Sequence, residues 1–321
     1  MVHIRANFYD SVAANLVQKY GIVPHSLYPD AVNAESSSSM GRLITTKLKR
    51  DALRLRSLIS NAASADELGK EKQKMLQEVH MMLTLMLGPP PSPVKDFTWA
   101  YYDKAGAFHS VTTTPKAFAE QLSTLKAIKT GSGWDFHKLF SLVHDPRNPY
   151  YRLLTVDYLG NVSEGRPITY VNVPMTVMKD ACIAMLKQGI PVFFGSDVSK
   201  YSDSIEGIMD TKLFDYELAF NVHLGMTKAE RLETGISAMN HAMVLTAVHV
   251  EDEKPVRWRV ENSWSKERGD QGYFVMSDEW MDEYVYQAVV DPSFVSKEIR
   301  DVLKQDPIRL PPWDPLGALA D

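Results

Sequence analysis

Leu43, Ile44, Leu48, Leu55, Leu58 and Ile59 recur at the spacing that gathers side chains on one side of an α-helix. Arg42, Lys47, Lys49, Arg50, Arg54 and Arg56 fill the intervening positions, with Asp51 the one acid among them, so the outer face is basic. Ser64 and Glu67 form an S-x-x-E capping box, after which Leu68, Met75, Leu76, Val79, Met82, Leu83, Met86 and Leu87 continue an apolar stripe to Gly88. Two long helices joined by a short turn predict an antiparallel hairpin, and the methionines of the second are expected in its core. Upstream, VAANLVQKY (12–20) reads as the end of a helix stopped by Gly21, and a run of four serines (36–39) reads as a polar lead-in.

The prolines of PPPSP (89–93) cannot continue a helix and mark a boundary. Beyond them, FTWAYYDK and the segment 108–113 read as a β-hairpin turning near residues 104–106, followed by a helix from Thr114-Pro115 to Leu125. From Leu153 onward the texture is short β-rich runs between turns: LLTVDYL, ITYVNV, PVFFGSDV, HAMVLTAVHV, VRWRVENSW and GYFVMS. A helix over 175–187 interrupts them and another over 278–284 follows.

With 321 residues, 45% of them apolar, the chain can bury a substantial core. A formal net charge of -5 supplies no global attraction to nucleic acid or an anionic membrane. No stretch approaches the apolar run that crosses a bilayer. The opening MVHIRANFYD has neither a secretory h-region nor a long basic presequence, so a cytoplasmic location is expected, with a mitochondrial one as the alternative. A single cysteine, Cys182, rules out an internal disulfide and fits a reducing compartment.

The chemistry concentrates late in the chain. His241 opens one apolar β-run and Asn262 closes the next, so antiparallel pairing of the two strands brings them face to face. An amide oxygen that accepts from one ring nitrogen fixes the imidazole tautomer and leaves the other nitrogen for a nucleophile. Other residues are read as structural. Cys182 lies mid-helix in KDACIAMLK as packing; His249 and Asp252 are too far along the strand from His241 for a metal pair; His144 and Asp145 precede a proline and make a turn.

His241 ahead of a strand, Asn262-Ser263-Trp264 at the close of the next, and a glycine before an aromatic-rich strand resemble the papain-like cysteine peptidases. HDPRNPY (144–150), RVENSW (259–264), VVD (289–291) and WDPLGALA (313–320) resemble the bleomycin hydrolases more narrowly, from about Ala13 to the last residue. The resemblance implies an α+β, papain-like cysteine peptidase fold lacking its N-terminal catalytic-helix portion, with a helical-hairpin insertion and a C-terminal antiparallel β-barrel-like module. On that basis residues 1–30 are a remnant of the N-terminal lobe, 31–95 the hairpin insertion and 96–152 a mixed connecting region. Residues 153–305 are then the His/Asn module and 306–321 a C-terminal arm.

The resemblance further implies an aminopeptidase acting on peptide substrates, a homohexameric ring, and no metal or organic cofactor. His241 would be the general base and acid, Asn262 its orienter, and Ser263 and Trp264 would support them, Trp264 as an apolar cover. Leu319, Ala320 and Asp321, ending the arm, would limit substrate access. Relatives that bind nucleic acid imply at most a weak, salt-sensitive contact through the basic helix face. The family's nucleophilic cysteine and oxyanion glutamine precede the KYG helix and are absent from these 321 residues. Cys182 lies 59 positions before His241, against roughly 130 to 150 in papain-type chains. The chain is therefore expected to be an N-terminally truncated form with no thiol-dependent activity of its own, and to expose apolar surface. The alternative is a non-enzymatic oligomer subunit or nucleic-acid-binding remnant.

Overall fold

The computed structural model describes residues 11–103, 105–124, 138–160 and 162–320. The chain forms two compact units, Tyr20–Ala119 and the combination of Met1–Lys19 with Glu120–Asp321. In chain order the helices are α1 (Ser11–Tyr20), α2 (Val32–Glu35), α3 (Ser38–Ser60), α4 (Ala65–Leu87), α5 (Pro115–Thr124), α6 (Met175–Lys187), α7 (Tyr216–Phe220), α8 (Lys228–Glu233), α9 (Asp278–Tyr284) and α10 (Lys297–Val302). The strands are β1 (Phe97–Tyr102), β2 (Phe108–Thr113), β3 (Phe140–Val143), β4 (Arg152–Val156), β5 (Tyr170–Asn172), β6 (Val192–Ser196), β7 (Ser202–Asp203), β8 (Ile208–Met209), β9 (His241–Glu251), β10 (Lys254–Glu261), β11 (Tyr273–Ser277), β12 (Val285–Val290) and β13 (Ile308–Leu310).

In the smaller unit α3 and α4 form the predicted hairpin. Ser64 accepts from the Glu67 amide while Glu67 returns to the Ser64 amide at 2.8 Å, closing the capping box. Tyr28 donates to the carbonyls of Leu87 and Gly88, and Asn33 to that of Met86, so side chains satisfy the carbonyls that the last turn of α4 leaves open. The serine run is not a linker throughout: Ser38 and Ser39 already belong to α3. The apolar stripe is wider than one partner helix can cover. Met75 is buried, but Leu43, Leu48, Ile59 and Leu76 remain half exposed or more. On the basic face Lys47 lies 2.5 Å from Asp51 and 2.8 Å from Glu78, which ties α3 to α4. β1 and β2 pair antiparallel from Phe97↔Thr113 to Tyr102↔Phe108.

The larger unit is organised on an 11-stranded sheet of order β13-β4-β5-β3-β12-β6-β9-β10-β11-β8-β7. Its central run from β3 through β11 is antiparallel, as expected, but β13 with β4, β3 with β5 and β11 with β8 pair parallel. The sheet is therefore mixed, and among the described residues no pairing joins its two edges into a barrel. Every residue of β6 and β12 is buried, because apolar layers cover both faces of the centre. On one face α6 presents Met175, Met178, Ala181, Cys182 and Met185 to Phe194, Met243, Leu245, Trp258, Trp280 and Val285. On the other, Phe193, Val244 and Val289 cluster with Ala242. α1 is held by Asn15, which both donates to and accepts from the Arg166 backbone at 3.0 Å. No helix among the described residues is long and apolar enough to cross a membrane.

Candidate active site

β6 and β9 pair with Ser196 opposite His241, and β9 and β10 with Val244 opposite Glu261. A bulge between Arg259 and Val260 shifts that second ladder by one residue, which advances the end of β10 toward the start of β9. Asn262 follows β10 directly and its amide still reaches the Gly272 carbonyl at 2.9 Å. The loop between them closes at Gly269, whose φ is +56° and whose added Cβ would stand 2.3 Å from the Tyr273 carbonyl oxygen. Only glycine fits there.

In this frame His241 Nε2 lies 2.9 Å from Asn262 Oδ1. The Ser263 backbone N–H, at 2.8 Å, also donates to that atom, which fixes it as the oxygen of the amide. An oxygen cannot donate, so Nε2 carries the proton and the neutral ring keeps its lone pair on Nδ1. Burial pushes the His241 pKa below the ordinary histidine value, partly offset by the bond to Asn262, and the neutral form is therefore favoured near pH 7. Trp264 packs against the imidazole with ring centroids 4.8 Å apart, and it also meets the buried Phe274 in a T-shaped contact at 5.9 Å. Trp264 is 37% exposed and Asn262 is 7% exposed, so the amide is the better shielded of the two. Asn262 Nδ2 is buried and has no partner among the described residues.

The other residues singled out from the sequence lie apart from this pair. Cys182 is fully buried inside α6, in the same core cluster as Met243, and burial pushes its thiol up to about 12. His249 accepts from Arg257 Nε and approaches Glu251 at 3.3 Å. Leu319 and Ala320 belong to a final 3-10 turn, Pro315–Ala320, and Asp321 lies outside the described residues.

Three arrangements had no clear signature in the sequence. Asp145, in the motif read only as a turn, is fully buried and accepts a bidentate pair from one edge of the Arg147 guanidinium, Nε to Oδ1 and Nη2 to Oδ2, each at 2.9 Å. Arg147 also reaches Asp314 at 3.0 Å, which pins the C-terminal arm partway along its length. His144, beside them, bonds Tyr150 through Nε2 at 3.1 Å, and burial together with the charge of Lys228 pushes its pKa down to about 3. Lys228 is itself buried; its Nζ donates to the carbonyls of Asp282 (2.8 Å) and Val285 (2.5 Å), and desolvation brings its pKa down to about 7. Finally, Ser237 and Asn240, in the segment directly ahead of His241, each donate a hydrogen bond to Asp197. A buried aspartate after the apolar run PVFFGS and an asparagine next to the candidate base were the available hints.

Comparison with known proteins bears on the family of the chain as a whole. The profile described as "Peptidase C1-like family" matches residues 9–317. Aminopeptidase C of Lactobacillus delbrueckii subsp. lactis is 41% identical over 311 residues, covering 95% of this chain and 67% of that protein. Bleomycin hydrolase of Homo sapiens is 39% identical over 315 residues, covering 96% and 67% respectively. The crystal structure of PepW from Lactobacillus rhamnosis HN001 superposes with a TM-score of 0.87 at 40% identity, over 96% of this chain and 68% of that one. A family match spanning nearly the whole chain, and a histidine whose proton is assigned by an asparagine across two strands, lead to one conclusion: the chain belongs to the Peptidase C1-like family of cysteine peptidases.

Proposed function

We propose that this chain carries the base-and-orienter half of a cysteine aminopeptidase site, acting on peptides from their N-termini, the activity that the name aminopeptidase C states for its Lactobacillus relative. In this reading His241 Nδ1 takes the proton of a thiol, the thiolate attacks the amide carbonyl, and the imidazolium protonates the leaving amine. Water then hydrolyses the acyl-enzyme. Asn262 holds the tautomer that makes Nδ1 basic, and Trp264 limits water beside the ring. The observation that carries the reading is the 2.9 Å bond from His241 to Asn262, with its acceptor fixed by the Ser263 amide.

The thiol is not Cys182, which is enclosed in the core and has a raised pKa. We propose accordingly that the 321-residue polypeptide alone performs no thiol-dependent hydrolysis. Two measurements test this. Long-range 1H–15N correlation spectra at pH 7 are expected to show His241 as the Nε2–H tautomer, and an Nδ1–H ring would remove the base assignment. Purified chain incubated with aminoacyl-methylcoumarylamides and dithiothreitol is expected to release no fluorophore. Turnover abolished both by iodoacetamide and by Cys182→Ser would refute the second statement.

A further inference from the structure

Asp197 is 2% exposed, and its four hydrogen bonds come from neutral donors. Oδ1 accepts from Asn240 Nδ2 at 2.6 Å and from Ser199 Oγ and N at 2.6 and 3.2 Å; Oδ2 accepts from Ser237 Oγ at 2.7 Å. Ser237 has one hydroxyl proton and spends it on Asp197, so the Tyr286 hydroxyl, 2.6 Å away, donates to Ser237. Tyr286 stands where β12 skips a pairing between Val285 and Gln287, which turns its side chain out of the ladder toward this cluster. The segment 237–240 is thus fastened at both ends. At its far end Asn240 also accepts from the Val198 amide at 3.1 Å and donates its own amide to Ser196 O at 3.0 Å.

The next residue is His241. A carboxylate buried among neutral donors carries a desolvation cost that an amide in the same place would avoid. What it gives in return is short, charge-assisted bonds that hold donors more stiffly than neutral ones. A 2.9 Å bond between side chains on different strands is sensitive to small displacements of either backbone. We propose that Asp197 is a positioning residue for His241: it clamps the segment 237–240 so that the imidazole meets Asn262 in the geometry that keeps the proton on Nε2. This rests on the reading of His241 as the base, and deepens it by naming what holds the ring in place.

The test uses the full chain labelled with 15N-histidine. Asp197→Ala is expected to lower the Nε2–H to Nδ1–H ratio of His241 about tenfold, roughly one hydrogen bond's preference. The His241 titration midpoint is expected to rise toward the ordinary value as water enters. Asp197→Asn, which keeps the shape and an acceptor for Asn240 but loses the charge, is expected to give a ratio between those of the parent and Asp197→Ala. Should Asp197→Ala fail to fold, Asn240→Ala, which removes one arm of the clamp, is expected to shift both readouts in the same direction. A folded Asp197→Ala or Asn240→Ala protein with unchanged tautomer ratio and midpoint overturns the proposal, even if its melting temperature falls. That failure is distinct from failure of the base assignment, which is read from the unmodified protein.

Discussion

Replacing Arg147 with methionine removes a cation shared by two buried carboxylates while leaving an apolar stem of similar length. The side chains of Asp145 and Asp314 are 0% and 8% exposed, and three side-chain bonds from Arg147 at 2.9 to 3.0 Å would vanish. Breaking a buried pair from one side costs roughly 3 to 5 kcal/mol, because the stranded charge keeps its desolvation penalty. Here both acids retain other donors: Asp145 the Arg147 amide and Asn148 Nδ2, Asp314 the Leu316 amide. The loss should therefore fall at the low end, about 3 kcal/mol. Urea unfolding followed by tryptophan fluorescence reads this unit through Trp258 and Trp280, both fully buried within it. An unchanged slope with a lower midpoint is the expected pattern. Adding Asp314→Asn to Arg147→Met should recover about 1 kcal/mol, since the amide needs no counter-charge. If Arg147→Met stays within about 1 kcal/mol of the parent, the cluster is not the electrostatic clamp described here.

Three further outcomes follow from the same structure. His144 stays neutral in the folded chain down to about pH 3 while the unfolded ring protonates near 6.5, so the unfolded state binds more protons across that window and stability falls as pH falls. Relative to His144→Asn, the parent should lose about 1.4 kcal/mol per pH unit below 6.5, and equal pH slopes in urea titrations would contradict this. Cys182 should resist Ellman's reagent in buffer and react fully in guanidinium chloride; prompt labelling of the folded chain would show the thiol is accessible. Gly269→Ala should destabilise the loop by at least about 1–3 kcal/mol through its positive φ and the clash with the Tyr273 carbonyl, measurable as a lower urea midpoint; a neutral substitution would mean the loop closes differently.

Local periodicity made the long helices α3 and α4 legible, and capping chemistry placed the start of α4 at the right residue. The His241 and Asn262 pairing was legible because adjacent antiparallel strands make it a matter of counting from the intervening turn. Asp197 was not, since Ser237 and Asn240, which link it to His241, lie 40 and 43 residues away and join it only once β6, β9 and β12 are side by side. β12 escaped notice for a different reason: it begins at the residue after α9 with no turn residue between them. The parallel pairings at the sheet's edges have no sequence period of their own, and α7 and α8 are too short to show one. The half-exposed leucines of the helical hairpin show the reverse limit, since an apolar period predicts which face is oily but not how much of it a neighbour covers.

Lys228 alters the electrical identity of the folded molecule. The formal charge of -5 counts every lysine as a cation, yet a proton held with a pKa near 7 has mostly left by pH 8. Above neutrality the native chain should therefore migrate as though one more acid had been added, and unfolding should return that proton from solvent. Near pH 6, the isoelectric point that the sequence implies, the proton is still bound, so the folded and unfolded chains part company in charge at this lysine only on the alkaline side of neutrality.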